Sequence, residues 1–210
     1  MDARTLCLGA LVMSDASGYE IRKQFEDGPF ACFHDTSYGS IYPALNRLAE
    51  DGLVSCTVVE QDGKPDKKVY SITEAGRAAF RAALHQAPVP DRIRSESLFM
   101  MFYADLLDPA HRERVYAGYL DHYRAVLARL EAVERACAEP ERAREFLGDA
   151  VDTVNICLAD GAGQAPHRVF ARRFGLTLYR TMVQFLEDNR DGLMAEMARE
   201  DEARRKGDVA

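Results

Sequence analysis

The sequence predicts a mostly α protein with one small β-hairpin, built as a mixed N-terminal part followed by a longer helical part. Apolar residues recur at helical spacing through most of the chain. One stretch, residues 53–72, changes to β-branched and alternating residues. Between the parts, Ala87-Pro88-Val89-Pro90 sets two prolines in three residues, poor helix interior and a natural boundary. The expected domains are residues 1–87 and 88–210.

The elements follow in order. Residues 3–14 carry Leu6, Leu8, Ala10, Leu11 and Met13 and read as a short helix, broken by Ser14-Asp15-Ala16-Ser17-Gly18. Ser17 can cap a second helix, Tyr19 to about Glu26, with Tyr19, Ile21 and Phe25 apolar. Gly28-Pro29 ends it. A third helix runs from about Tyr38 to Glu50 with Ile41, Leu45 and Leu48 facing inward, and Asp51-Gly52 stops it. Pro43 costs nothing if Ser40 is the cap. With Ser37 as the cap, the preferred reading, one helical hydrogen bond is missing. Leu53 to Val59 then reads as a strand, residues 61–66 as a turn-forming loop, and Lys67 to Ile72 as a second strand. Thr73 caps a fourth helix, Glu74 to about His85. Three helices, a hairpin and a helix is the order of a winged helix-turn-helix, whose third helix enters the major groove while the hairpin lies along the backbone.

In the second part, residues 92–107 are apolar on one side through Ile93, Leu98, Phe99, Phe102 and Leu106. Asp108-Pro109 supplies an N-cap and a first-turn proline for a helix reaching about Ala138. Along it Tyr116, Tyr119, Tyr123, Val126, Leu130, Val133 and Cys137 keep a 3-4 spacing, a heptad seam that must meet a helix of this chain or of a second copy. Glu141 to Leu147 looks helical, and residues 160–166 look like a loop. A last helix, His167 to about Arg199, shows Phe170, Phe174, Leu178, Phe185, Leu193 and Met197, and its charged tail is expected to fray.

Composition bounds the function. The chain has 210 residues, 47% hydrophobic and 29% charged, with a net charge of −7. That is enough apolar material for a core without disulfides or metal. A uniformly basic nucleic-acid coat is excluded, whereas a local docking face is not. No apolar run is long enough for a membrane span, and the opening residues lack a signal-peptide layout, so a cytoplasmic location is expected. Cys7, Cys32, Cys56, Cys137 and Cys157 are widely spaced and odd in number, which suits reduced, mostly buried thiols.

The most informative stretch is residues 36–48. Hydroxyl residues crowd a helix start whose other face is apolar, and such a start, with unpaired N–H groups and positive dipole density, can hold a phosphate. Ser37, Tyr38, Ser40 and Tyr42 add hydroxyl donors, while Asn46 and Arg47 can reach base edges or phosphates. Lys64, Lys67 and Lys68 fall within five residues at the hairpin, where ammonium groups suit sequence-independent phosphate contact. Residues 1–87 nevertheless hold 9 Lys and Arg against 12 Asp and Glu. The face must therefore be polarised, and two copies are needed for useful affinity.

Three blocks now come together: Gly18-Tyr19-Glu20-Ile21; then Gly39-Ser40-Ile41-Tyr42-Pro43-Ala44-Leu45-Asn46-Arg47-Leu48 with Asp51-Gly52-Leu53-Val54; then Lys67-Lys68-Val69-Tyr70-Ser71-Ile72-Thr73-Glu74-Ala75-Gly76-Arg77. In this order and spacing they resemble the PadR-family transcriptional regulators, and they cover nearly all of residues 5–84. The resemblance implies a winged-helix regulator, usually a repressor, that binds double-stranded operator DNA as a homodimer through C-terminal helices. It implies DNA contacts from Tyr19 and Lys23, from Ser37, Tyr38, Ser40, Tyr42 and Arg47, and from Lys64, Lys67 and Lys68. The long second part looks like the branch with an extended helical domain. Asp66 interrupts the usual basic wing. The chain has no Trp, so a drug-stacking tryptophan used by some members has no counterpart.

The expected assembly presents two third helices roughly 34 Å apart, or at a related spacing, to an inverted-repeat operator. A small-molecule effector of unknown identity would change that spacing. Tyr116, Tyr119 and Tyr123 are the effector candidates and, with Val126 and Leu130, the dimerisation candidates. No enzyme, cofactor or metal is expected. The five histidines form no metal-ligand spacing, and Gly161-Ala162-Gly163 is too short for a phosphate loop. The rival reading is a dimeric interaction or thiol-sensing module that has lost DNA affinity, motivated by the acidic balance and Asp66.

Overall fold

The computed structural model describes residues 1–26, 28, 30, 38–61, 64–90, 95–148 and 164–207. It is mostly helical with one small antiparallel sheet, as expected, and its chain divides into two compact units. Residues 1–90 and 135–165 form one, and residues 91–134 and 166–210 the other.

In the first unit, α1 (Ala3–Met13) is capped by Asp2, whose carboxylate accepts from the Thr5 N–H at 2.9 Å. α2 (Gly18–Glu26) opens with a reciprocal cap: Ser17 Oγ accepts from the Glu20 N–H, and Glu20 accepts from the Ser17 N–H. α3 (Tyr38–Glu50) has the predicted bounds. It ends as a helix with glycine in the left-handed region should: Gly52 sits at φ 68°, its N–H donates to Ala49 O, and the Leu53 N–H donates to Leu48 O. Leu8, Leu11, Ile21, Ile41, Leu45, Leu48, Val54 and Tyr70 are buried together and lock the three helices onto the sheet.

The sheet has strand order β1-β3-β2. β1 is only Ala16–Ser17, opposite Tyr70 and Val69, and is too short for any alternation to reveal. β2 (Val54–Gln61) and β3 (Lys64–Ile72) are longer than expected, and residues assigned to a loop, Gln61 and Lys64 to Asp66, belong to strands. Pairing runs from Val54↔Ile72 to Val59↔Lys67 and resumes at Gln61↔Lys64. One extra residue on β3 falls at Pro65 and Asp66, a bulge in which a residue without an N–H is tolerated. α4 (Glu74–Leu84) is capped by Thr73, whose Oγ1 accepts from the Gly76 N–H at 3.1 Å.

In the second unit, α5 spans Glu96–Phe102, shorter than the expected 92–107, and residues 92–94 lie outside the described ones. After it the backbone tightens into a 3₁₀ turn, Ala104–Leu106, whose neighbourhood supplies Ala104 O and Leu107 O to the guanidinium of Arg112. α6 (Pro109–Ala138) starts as expected, with Asp108 accepting from the His111 N–H at 2.9 Å. The segment after it, belonging to the first unit, is a 3₁₀ turn, Pro140–Arg142, and a short helix α7 (Ala143–Leu147). The expected loop at 160–166 lies mostly outside the described residues.

α8 (Pro166–Lys206) runs past Arg199, so the tail does not fray there. The cause is distant in sequence: Asp201 receives both terminal nitrogens of the buried Arg112, at 2.7 and 2.8 Å. Within the second unit the heptad seam of α6 meets α8. Tyr116, Tyr119, Leu120, Val183 and Leu186 share one buried cluster. The predicted stripe on α8 divides: Leu193 packs against that cluster and Met197 is half-buried, but Phe170, Phe174, Leu178 and Phe185 are exposed on a second apolar face, and Leu176, Val183 and Leu186 are buried in their place.

Candidate nucleic-acid interface

Three elements of the first unit converge on one open groove of about 560 Å³. α2 contributes Tyr19, α3 contributes Tyr42 and Asn46, and β3 contributes Asp66, Lys67, Lys68 and Tyr70. The convergence follows from the local folding. The capping box fixes where α2 begins, β1 stitches that start to β3, and the Ile41, Leu45 and Leu48 stripe turns the opposite side of α3 outward. Tyr19 and Tyr42 remain 55% and 50% exposed although both are large aromatics. Phenol rings with free hydroxyls beside two ammonium groups can stack on sugars and donate to phosphate oxygens.

The Tyr42 ring lies directly on Gly18, where a Cβ would come within 2.6 Å of Tyr42 Cε1. Any side chain at position 18 therefore moves the ring. We expect Gly18→Ala to leave the fold intact, because the ring can swing outward, and to change the environment of Tyr42. A tyrosine-specific NMR probe of Tyr42 unaltered by Gly18→Ala would contradict this.

Lys67 is not a mobile-loop ammonium. It sits on a strand, and its Nζ donates to Glu20 Oε1 at 2.8 Å. The other oxygen, Oε2, accepts from the Ser17 N–H and hydroxyl, both at 2.8 Å. Burial alone would raise the Glu20 carboxyl, but Lys67 and the Ser17 donors outweigh it and hold it below its ordinary value. Lys68 is exposed and makes no ion pair among the described residues. Burial raises the Tyr70 phenol, so its hydroxyl stays a neutral donor.

The other expected site residues distribute as follows. Arg47 is exposed on α3, and Ser40 and Lys23 are half-buried. None of the three lines the groove. Tyr38 is the first residue of α3 and Lys64 the first of β3. Ser37 lies outside the described residues. Sequence reasoning missed Gly18, Glu20 and Tyr70. For Glu20 a signal existed, the Ser-x-x-Glu spacing of a capping box.

In the second unit, the Tyr116 hydroxyl donates to Leu186 O at 2.6 Å. Tyr119 and Tyr123 stack edge to face with centroids 4.9 Å apart, and Tyr123 also meets Tyr179. Val126 and Leu130 are half-buried. Of the thiols, Cys7 and Cys137 are buried and Cys56 is exposed, with burial pushing Cys7 up to about 12. Cys32 and Cys157 lie outside the described residues. No group of three metal-ligating side chains, and no helix long and apolar enough to cross a membrane, occurs among the described residues.

A compact helical unit whose third helix and antiparallel wing share one exposed, tyrosine- and lysine-lined groove is a winged helix-turn-helix of the DNA-binding kind. Residues 7–82 match the transcriptional regulator PadR-like family, so this part of the chain is a PadR-like domain. The chain is 26% identical over 137 residues to the negative transcriptional regulator PadR of Bacillus subtilis (strain 168), a match covering 64% of this chain and 74% of the relative. The crystal structure of the PadR-like transcriptional regulator BC1756 from Bacillus cereus superposes with a TM-score of 0.69 at 25% identity, covering 94% of this chain and 96% of that one. The fold is also that of Bacillus subtilis PadR in complex with operator DNA, with a TM-score of 0.59 at 19% identity over 92% of this chain and 98% of that one.

Proposed function

We propose that the chain is a cytoplasmic repressor that binds an inverted-repeat operator as a homodimer, with a small molecule adjusting the spacing of its two reading heads. Residues 1–87 would carry the DNA contacts and residues 88–210 the dimer and effector functions. The observation that carries the reading is the groove, which gathers Tyr19, Tyr42, Asn46, Lys67 and Lys68 on one side of the first unit. Tyr38, Ser37, Ser40, Arg47, Lys23 and Lys64 would supply flanking phosphate contacts. A groove that also holds Asp66, and whose Lys67 is paired with Glu20, is weakly basic. One copy then makes few net phosphate contacts, and two linked copies recover affinity by effective concentration. The Bacillus subtilis relative, solved on its operator, supplies the analogy for the DNA partner.

A second copy is favoured by the second unit. Phe99, Phe102 and Leu106 near α5 and Phe170, Phe174 and Phe185 on α8 all stand more than half exposed, apolar surface that a second copy would cover.

The test is fluorescence anisotropy of the full chain on a duplex from its own upstream region. Binding should prefer that duplex to random DNA and weaken with salt. Tyr42→Ala should cost roughly tenfold in affinity, and Lys68→Ala should flatten the salt dependence by about 0.9 in log–log slope for each bound copy. Wild-type binding no tighter to the upstream duplex than to random DNA would remove the operator reading.

A further inference from the structure

Lys67, which lines the groove, is paired with Glu20, and the geometry of that pair bears on how tightly the groove holds any duplex. Glu20 is the third residue of α2, and Lys67 lies 47 residues later on the wing strand. One carboxylate oxygen is engaged by the Ser17 N–H and hydroxyl, so the side chain is anchored at the start of the helix. The other points across to the wing and holds the lysine at 2.8 Å. Both side chains keep contact with water, at 34% exposure for Lys67 and 47% for Glu20, so a phosphate oxygen can reach the ammonium only in competition with an anion already in place. Lys68, the next residue, has no such anion among the described residues.

We infer that Glu20 is an affinity-setting positioning residue: it occupies Lys67 with a fixed counter-charge, so that of the two lysines lining the groove only Lys68 is left to meet a phosphate. The inference rests on the DNA-binding reading of the groove. Its physical basis is that each phosphate neutralised by a lysine releases counterions and adds about 0.9 to the salt slope, while a lysine already paired with a carboxylate adds little. Such masking suppresses sequence-independent binding more than specific binding, because random duplex is held almost wholly by phosphate contacts. A chain with an acidic overall charge thereby keeps a low background on bulk DNA.

The measurement is the affinity of the full chain for a random-sequence duplex as a function of salt, in wild type, Glu20→Gln, Lys67→Met and the double variant. Glutamine still accepts from the Ser17 N–H, so the helix cap survives while the charge goes. Glu20→Gln should tighten binding about three- to fivefold at low salt and steepen the slope by about 0.9. Lys67→Met alone should weaken binding, because it bares the Glu20 carboxylate toward the duplex, while changing the slope by much less than about 0.9, and in the Glu20→Gln background it should abolish the gain. The proposal is overturned if the double variant binds as tightly as Glu20→Gln, since relief of repulsion alone would then explain the effect. It is overturned equally if Lys67→Met alone flattens the slope by about 0.9, since that lysine would already be contacting phosphate. The Lys67→Met arm does not depend on how Glu20→Gln folds. Failure of the wild-type chain to bind any duplex is a separate result that removes the DNA-binding reading itself.

Discussion

Alanine at Gly76 is expected to lower the melting temperature of the first unit by roughly 10 °C, the equivalent of about 2 kcal/mol for a unit of this size. Gly76 is buried in the first turn of α4, and a Cβ there would stand 2.1 Å from Leu53 O and 2.8 Å from Ile72 Cγ1. The nearer atom is backbone, and it is held: Leu53 O accepts from the Thr73 N–H at 3.1 Å and from Thr73 Oγ1 at 3.0 Å. It cannot retreat without breaking the hydrogen bonds that join the start of β2 to the cap of α4. Alanine gains about 1 kcal/mol of intrinsic helix preference over glycine, but forcing a methyl into backbone costs about 3 kcal/mol, so the clash wins. Thermal melts by circular dichroism of Gly76→Ala beside Gly52→Ala give the comparison. Gly52, at φ 68° with open space around its Cα, should lose about 1 kcal/mol through backbone strain alone. Equal melting temperatures for wild type and Gly76→Ala would refute the close approach.

The double variant Phe99→Glu with Phe174→Glu is expected to convert the proposed homodimer to monomer, raising its dissociation constant at least about a hundredfold. Phe99 is 68% and Phe174 57% exposed, so neither holds its own unit together. Burying a phenylalanine at an interface is worth about 2 kcal/mol, and a carboxylate in its place must also be desolvated. Sedimentation at micromolar concentration reads the result, with circular dichroism confirming unchanged helix content. A wild-type chain that sediments as a monomer would defeat the homodimer proposal, and a double variant that stays dimeric would move the interface elsewhere.

What the sequence made legible was local. α3 could be bounded because its inward stripe and the Asp51-Gly52 stop are written in adjacent residues, and the caps at Ser17, Thr73 and Asp108 are equally short-range. The hairpin was recognised but cut short, since Lys64, Pro65 and Asp66 carry turn-like side chains while the ladder that pairs them is backbone. β1 has only two residues, and its pairing with β3 reaches more than fifty positions along the chain. The extent of α8 was hidden for a similar reason: a charged tail reads as solvated until Arg112, distant by 89 residues, takes Asp201. The apolar stripe on α8 was visible, but periodicity shows that a face is apolar without saying which of two faces the same chain covers. In the groove, Tyr42, Lys67 and Lys68 were expected from residue type, and Tyr19 from the family resemblance. The Glu20 partner of Lys67 was not, because ion pairing across 47 residues leaves no trace in spacing.

The buried Arg112 has a mechanical meaning for the second unit. Its guanidinium is gripped at once by Ala104 O and Leu107 O before α6 and by the Asp201 carboxylate near the end of α8. Sliding α8 along α6 by even one residue, about 1.5 Å, would pull that carboxylate out of its bidentate seat and strand a charge away from water. Travel along the helix axes is thereby pinned like a keyed shaft. Tilt or rotation about that grip is the motion left to this pair of helices.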